Sequence, residues 1–572
     1  MNNNEIIKIL KLTGDLLDLH GENPFKVKAY ISSSAALENF TGVLRGMTLP
    51  EIEQIEGLGK ATAAKVYSLT QGILFEELKT LYEKTPPGVV QMLNIKGIGP
   101  KKVGILWKEL EVTSIEELIT ACNEDRVSKL KGFGAKTQEN IRQNLLFTQA
   151  NSGKKLYAEV EAFGDEFVGI LSQGEAFEKV SLCGDIRRKL EIIEKLEVLA
   201  ATQNPTQAKS FIDSLDFLVQ NEKESGPFAW RGKHLQSNLK IEIYFTTPSR
   251  FYNDLFIKTG AKEHLQLKNE SGIPILKIAK TESVNSEEEI YEKAKMPLIA
   301  PELREGLFEL NYIKNYKMDD LLEMKDLKGI LHNHTTYSDG IHTLEQMATY
   351  CRDAGYEYLG ISDHSKTAVY ANGLYEGMVL KQQEEIDALN KKLYPFKIFK
   401  GIESDILTDG SLDYAENILS TFDFVVASIH SNFKMDKEKA TARLIRAIEN
   451  PYTTILGHPT GRLLLKREGY PIDHKEIIDA CAANSVVIEI NAHPVRLDMD
   501  WRWINYALEK NVIISINPDA HDYNEYKLMH YGVLMGRKAG LTADRTLNAL
   551  PLHEIEKFFQ TRKEQVKSLT NG

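Results

Sequence analysis

Leu331-His332-Asn333-His334-Thr335-Thr336-Tyr337-Ser338-Asp339-Gly340 is the stretch that decides the fold of the C-terminal part of this chain. The i, i+2 spacing of His332 and His334 puts both imidazoles on one face of a strand, and an aspartate follows in the next loop. The same pattern recurs in Ile361-Ser362-Asp363-His364, Gly401-Ile402-Glu403-Ser404-Asp405, Val426-Ala427-Ser428-Ile429-His430, Ile455-Leu456-Gly457-His458-Pro459 and Ile514-Ser515-Ile516-Asn517-Pro518-Asp519-Ala520-His521. Each follows or ends an apolar run, and a seventh run covers 486–491. Seven β-like runs alternating with amphipathic helices imply a closed parallel barrel, because a parallel sheet so connected must be covered on both faces. In such barrels the chemistry gathers at the C-terminal strand ends, and six of the seven runs deliver a His, Asp or Glu there. Eleven of the fourteen histidines lie at or beyond His332. One histidine at a strand end is ordinarily a packed core or loop residue. Nine ligand-type side chains at matched ends have no packing explanation, whereas a rigid sheet holding imidazoles in place is what a metal site requires.

The rest of the composition narrows the class. A chain of 572 residues is too long for one core and suggests three or four domains. It is 42% hydrophobic and 26% charged, with no apolar run long enough to span a bilayer. The start, MNNNEIIKIL, has no basic region leading into an apolar core, so the expected location is cytoplasmic, with no membrane association. Cys122, Cys183, Cys351 and Cys481 are far apart and form no CxxC pair, which excludes a thiolate zinc site and fits a reducing compartment. A formal charge of −11 excludes a generally basic surface, so any nucleic-acid contact must be local.

The first 150 or so residues read as helical, with Ile6, Ile9, Leu10, Leu16 and Leu17 on one helix face. Three similar turns break the helices: Gly57-Leu58-Gly59-Lys60, Gly97-Ile98-Gly99-Pro100-Lys101 and Gly132-Phe133-Gly134-Ala135-Lys136. Glycines around one apolar residue permit a sharp turn with φ > 0 and bring backbone N–H groups close to a ligand. A helix start just beyond adds partial positive charge, which suits a phosphate oxygen. Such contacts hold a nucleic-acid backbone without reading sequence. One copy could equally be a plain helix link; three copies, each with a lysine beyond, point to DNA. The motif resembles the helix-hairpin-helix of repair proteins.

In the middle, Cys183-Gly184-Asp185-Ile186-Arg187-Arg188 precedes strand candidates at 197–200 and 239–245, with Thr259-Gly260-Ala261-Lys262-Glu263-His264 and Pro301-Glu302-Leu303-Arg304-Glu305 following. With the hairpins, this resembles the bacterial family X DNA polymerases over nearly the whole chain. The resemblance implies a GS…RR turn and a strand bearing Asp-x-Asp, whose carboxylates hold two Mg²⁺ ions with a third from a neighbouring strand. The matching positions here are Lys195, Glu197 and Glu242, and Asp185 replaces the serine expected at the triphosphate, close to Arg188. A lysine ammonium ~4 Å from a divalent ion is repelled by roughly 8 kcal/mol at an effective dielectric of about 20. The polymerase site is therefore expected to be degenerate, retained as a scaffold.

The C-terminal part resembles the polymerase-and-histidinol-phosphatase (PHP) domain. That resemblance implies three divalent ions, Mn²⁺ or Zn²⁺ with Fe²⁺ as the alternative, to which mixed imidazole and carboxylate donors are suited. Carried over, one ion takes His332, His334, Glu403 and Asp519; a second takes Glu403, His430 and His458; a third takes Asp339, His364 and His521. Arg462, Arg496 and Lys366 are candidates for substrate phosphate. The expected architecture is an N-terminal helix-hairpin-helix region (1–85 and 86–153), an α+β nucleotidyltransferase-like middle (154–313), a linker (314–328) and a (β/α)7 PHP barrel (329–572). The family implies 3′→5′ exonuclease, 3′-phosphatase or abasic-site endonuclease activity on gapped, nicked or damaged duplex DNA, in repair. The rival reading is a small-molecule phosphatase of the histidinol-phosphate type, which has no use for phosphodiester grips; a retained polymerase is a second. Lys65, on the helix after the first hairpin and near Lys60, matches the lysine with which some family members attack an abasic sugar.

Overall fold

The computed structural model describes residues 1–40, 42–95 and 97–570, in two compact units, Met1–Ser152 and Gly153–Gly572. The first unit is helical, with its own core. Its opening helix, Asn3–His20, is capped by the Asn2 side chain and buries Ile6, Leu10, Leu16 and Leu17, with Ile9 at the margin. The three glycine turns have one geometry. Gly57, Gly97 and Gly132 lie at φ +85°, +90° and +85°, and Gly59, Gly99 and Gly134 are the N-caps of helices Lys60–Thr70, Pro100–Leu110 and Ala135–Ala150. The apolar residue between each pair is buried, while the glycines and Lys60, Lys101 and Lys136 are exposed. An apolar plug thus seats each turn and leaves its backbone facing water.

The second unit opens with a five-stranded sheet: β1 (Lys179–Cys183), β2 (Lys195–Ala201), β3 (Leu218–Gln220), β4 (Ala229–His234) and β5 (Lys240–Thr246), in the order β1-β2-β5-β4-β3. Only β2 and β5 run parallel, and their register sets Glu197 beside Glu242. Next come seven parallel strands, β6 (Gly329–Ile330), β7 (Tyr358–Ile361), β8 (Lys397–Asp405), β9 (Phe424–Ser428), β10 (Ile455–Leu456), β11 (Val487–Asn491) and β12 (Ile514–Asn517), paired in sequence order. β6 and β12 approach through an Asn333–Ala520 bridge and a His334 N–H to Ala520 carbonyl bond of 2.8 Å, nearly closing the barrel.

Tyr358, Phe424, Ile455 and Val487 open their strands and fill the N-terminal end of the barrel, packed against Ile555 and Phe559 of helix Leu552–Thr570. The Phe424 ring occupies the space of two missing side chains: a Cβ on Gly360 or Gly401 would sit 2.6 or 2.2 Å from it. With that end plugged, the other end is left for chemistry.

The two parts of this unit are not separately cored. Residues from Phe256 to Tyr312 share one cluster with the barrel helices. The stretch 314–328, expected as a connector, buries Leu321, Leu322 and Leu327, and the Leu322 N–H donates to the Leu541 carbonyl at 2.9 Å. Its charged composition concealed three inward leucines. Trp501 and Arg502 donate to Glu191 at 3.1 and 2.7 Å, and fully buried Lys538 donates to the Arg188 carbonyl at 3.0 Å and pairs with Glu305. The four cysteines are free and buried. Among the described residues no helix is long and apolar enough to cross a membrane.

Candidate metal centre

Glu403, near the end of β8 and fully buried, is the hub. His332 Nε2, His430 Nε2 and His458 Nε2 lie 3.3, 3.2 and 3.1 Å from its Oε1, and His364 Nδ1 lies 2.9 Å from its Oε2. Asp519 Oδ1 is 3.0 Å from His334 Nε2 and 3.4 Å from His332 Nε2. Asp519 sits at φ +54°, a left-handed conformation that aspartate tolerates and that turns its carboxylate inward. Asp339 lies 3.3 Å from His521 Nε2 and 3.7 Å from His364 Nε2. All nine expected ligands converge.

Their donor atoms form three groups: His332, His334, Glu403 and Asp519; His364, Glu403 and His430; and His334, Asp339, His364 and His521. The first is the quartet expected from the sequence. The others differ, because His364 stands between Glu403 and Asp339 and His334 stacks between the His364 and His521 rings, at 4.3 and 4.2 Å. His458 meets the cluster through Glu403 alone at hydrogen-bond range. The first group is sealed from solvent, whereas the Asp339 and His521 side chains are 31% and 36% exposed. Access is from that side.

A ring of partners, absent from the sequence reading, orients the imidazoles. His332 Nδ1 meets Glu489 Oε2 at 2.7 Å and His430 Nδ1 meets Asp405 Oδ1 at 2.6 Å, which directs each Nε2 inward. Asn491 donates to Asp519 Oδ2 at 3.1 Å. Asp363 accepts from Thr335, Ser338 and Gln382 and so fixes the loop that carries Asp339. Glu489 was legible only as an acidic residue inside the apolar run 486–491, the one run without an expected ligand.

Burial would drive protons onto the carboxylates and off the imidazoles; mutual charges override it at Glu403 and His430 but not at His334. Burial raises Glu403, yet His430, His332 and His364 hold it well below the usual carboxylate range. Burial lowers His430, yet Glu403 and Asp405 carry it up to about 10. His334 falls to about 3 through burial and its neighbours His521 and His364. The donors fit a divalent ion: among the described residues, buried His332 Nε2, His364 Nδ1 and Glu403 Oε2 have no hydrogen-bond partner despite their short separations. Lone pairs that crowd without bonding one another point at a common centre.

The expected phosphate contacts divide. Arg496 Nε lies 3.6 Å from Asp519 Oδ2, at the rim. Arg467, which the sequence reading did not single out, donates to the Gly461 carbonyl at 2.6 Å and stacks over Phe433, and burial and Arg496 lower its pKa. Arg462 is instead a structural strut, spent on Asp500 and on the Arg496 and Leu497 carbonyls. Lys366 pairs with Glu376 at 2.7 Å. In the middle sheet Lys195 Nζ lies 3.0 Å from Glu197 and 2.8 Å from Glu242, and Tyr244 OH donates to both carboxylates. Asp185, expected to face an incoming anion, pairs with Arg188 at 2.5 Å, and Arg188 is held further by Glu305 and the Thr259 carbonyl. Lys65 is not on an open helix face: Glu77 takes its Nζ at 2.6 Å, Tyr30 OH bonds it, and the Tyr30 and Phe75 rings flank it.

A seven-stranded parallel barrel with nine imidazole and carboxylate donors at its open end defines the metal-dependent phosphoesterase class, and the PHP domain family matches residues 331–493. A helix-hairpin-helix domain matches residues 1–71 and a SAM-like helix-hairpin-helix tandem residues 89–145. Across 98% of its length the chain is 32% identical to the whole of the DNA polymerase/3′-5′ exonuclease PolX of Bacillus subtilis (strain 168). The chain therefore belongs to the PolX family, the bacterial family X DNA polymerases that carry a PHP domain. Over 42% of the chain it is also 29% identical to 98% of a protein named "Probable phosphatase" from Thermoanaerobacter sp. (strain X514). Polymerase beta of Leishmania infantum, in a ternary complex, aligns to 39% of this chain over its full length, at 15% identity and a TM-score of 0.23.

Proposed function

We propose that this PolX chain is a DNA-processing phosphoesterase, acting as 3′→5′ exonuclease, 3′-phosphatase or abasic-site endonuclease in repair, and that it does not polymerise. The observation that carries the reading is the convergence of eight imidazole and carboxylate side chains around a ninth, Glu403. Three ions, Mn²⁺ or Zn²⁺ and alternatively Fe²⁺, would supply Lewis-acid neutralisation of phosphoryl oxygens and acidification of water. Glu489 and Asp405 orient the imidazoles, Arg496 with Arg467 takes non-bridging phosphate oxygens, and the sealed inner group excludes bulk water.

The hairpins support gapped, nicked or damaged duplex as substrate, gripped through Gly57, Gly59, Lys60, Gly97, Gly99, Lys101, Gly132, Gly134 and Lys136. Loss of polymerisation is supported by Lys195: its ammonium engages Glu197 and Glu242 at the place where the family holds Mg²⁺, and raises a charge barrier to any divalent ion. The relative named as a phosphatase favours a second reading, a small-molecule phosphatase, to which three exposed hairpins contribute nothing.

The test is digestion of end-labelled gapped, 3′-phosphorylated and abasic duplexes with each metal. His332→Ala with His334→Ala is expected to abolish hydrolysis while DNA binding persists. Full hydrolysis by that variant after metal depletion overturns the reading.

A further inference from the structure

The loop after β7 leaves the metal centre at His364 and returns to it: the Leu374 N–H donates to the His364 carbonyl at 2.8 Å, and Ser365 bridges Leu374. The excursion is firmly seated. Ala368 and Ala371 are fully buried, and Thr367 Oγ1 donates to Asp405 Oδ2 at 3.0 Å and to Asp413 at 2.9 Å. Asp405 is the same carboxylate that orients His430. Asn372 Nδ2 reaches the Ser338 carbonyl, tying the excursion to the loop that carries Asp339.

Between the two buried alanines stand Val369 and Tyr370, 73% and 70% exposed. A hydrophobic pair held open on an anchored turn has no packing role. The Tyr370 ring centroid is 6.2 Å from that of His364, on the solvent-accessible side of the cluster. Partial burial and then Asp405, Glu403 and Asp339 raise its phenol.

We propose that Tyr370 is a stacking platform for the unpaired nucleobase of the 3′-terminal nucleotide, and so sets the preference of the centre for single-stranded or frayed ends. This rests on the phosphoesterase reading above. A base paired inside a duplex keeps its faces against its neighbours and cannot use the ring; an unpaired one can, whatever its identity, because every base has a π-face. Arg496, 3.6 Å from the Asp519 carboxylate, would take the phosphate of the same nucleotide whose base the ring holds.

The test compares two single-stranded oligonucleotides with Mn²⁺, one ending in an ordinary 3′ nucleotide and one ending in a tetrahydrofuran residue that lacks the base. The ratio of their kcat/KM values in the parent protein is expected to be roughly 5- to 150-fold, the range for one stacked base. Tyr370→Ala should bring that ratio close to one, and Tyr370→Trp and Tyr370→Phe should keep it, since the ring and not the hydroxyl carries the effect. A parent ratio near one, or a ratio that survives in Tyr370→Ala, overturns the platform while leaving the phosphoesterase intact. Failure of the parent to cleave either oligonucleotide overturns the phosphoesterase reading itself, and the platform with it.

Discussion

Glu489→Gln tests whether the partners behind the ligands set metal affinity. Glu489 is fully buried and accepts three bonds: from His332 Nδ1 at 2.7 Å and Asn517 Nδ2 at 3.1 Å on Oε2, and from the His458 N–H at 3.2 Å on Oε1. A carboxylate supplies acceptors on both oxygens, whereas glutamine has one oxygen and turns its NH₂ against at least one of these donors. Leaving a buried donor unmatched costs about 1–3 kcal/mol. Removing the charge also removes the largest attraction that keeps His332 basic and correctly oriented. Loss of such a partner weakens a metal site by about 10- to 100-fold, or roughly 1.4–2.7 kcal/mol. The assay is exonuclease rate against free Mn²⁺. The half-saturating concentration should rise by about 10- to 100-fold, with a much smaller change in kcat at saturation. Melting in chelator shows separately what the substitution costs the fold. An unchanged half-saturation would mean that Glu489 is only packing and that the orientation argument is wrong.

Primer extension with four nucleotides and Mg²⁺ or Mn²⁺ should yield no product above background, since Lys195 and its two glutamates are satisfied by one another; robust templated extension would refute the electrostatic argument. Gly99→Ala separates ligand approach from folding, because Gly99 has φ −85° and nothing within 4 Å of an added Cβ. Its melting temperature should stay within a few degrees while DNA affinity falls several-fold across unrelated sequences, a drop of about 1 kcal/mol; unchanged affinity would reduce the hairpins to structural turns. Borohydride should trap no adduct through Lys65 on pre-incised abasic DNA, because Glu77 and Tyr30 occupy its Nζ. An adduct that disappears in Lys65→Ala would show that DNA displaces Glu77.

The barrel and the donors at its mouth were legible because strand periodicity and histidine placement are local properties: six of the seven runs end on their own His, Asp or Glu. The hairpins were legible for the same reason, though the burial of the apolar residue between the glycines was not part of that reading. Long-range pairing was not. Nothing around Arg462 announces Asp500, nothing around Lys65 announces Glu77, and the division of His334 and His364 among the groups depends on ring stacking across the barrel mouth. Asp185 likewise reads as an unpaired anion in one dimension and as an Arg188 partner in three.

Lys538 carries the last consequence. Its ammonium is enclosed by the Arg188 carbonyl and Glu305, both from the middle part, while the barrel's Trp501 and Arg502 close on Glu191. Cutting the barrel free at residue 329 would strip these groups of their partners and wet the Trp501 ring. The barrel therefore cannot be inherited alone from this gene without compensating changes at its seam. Whatever keeps the barrel folded therefore also keeps the neighbouring sheet's Arg188 turn, Glu191 and Glu305 in place.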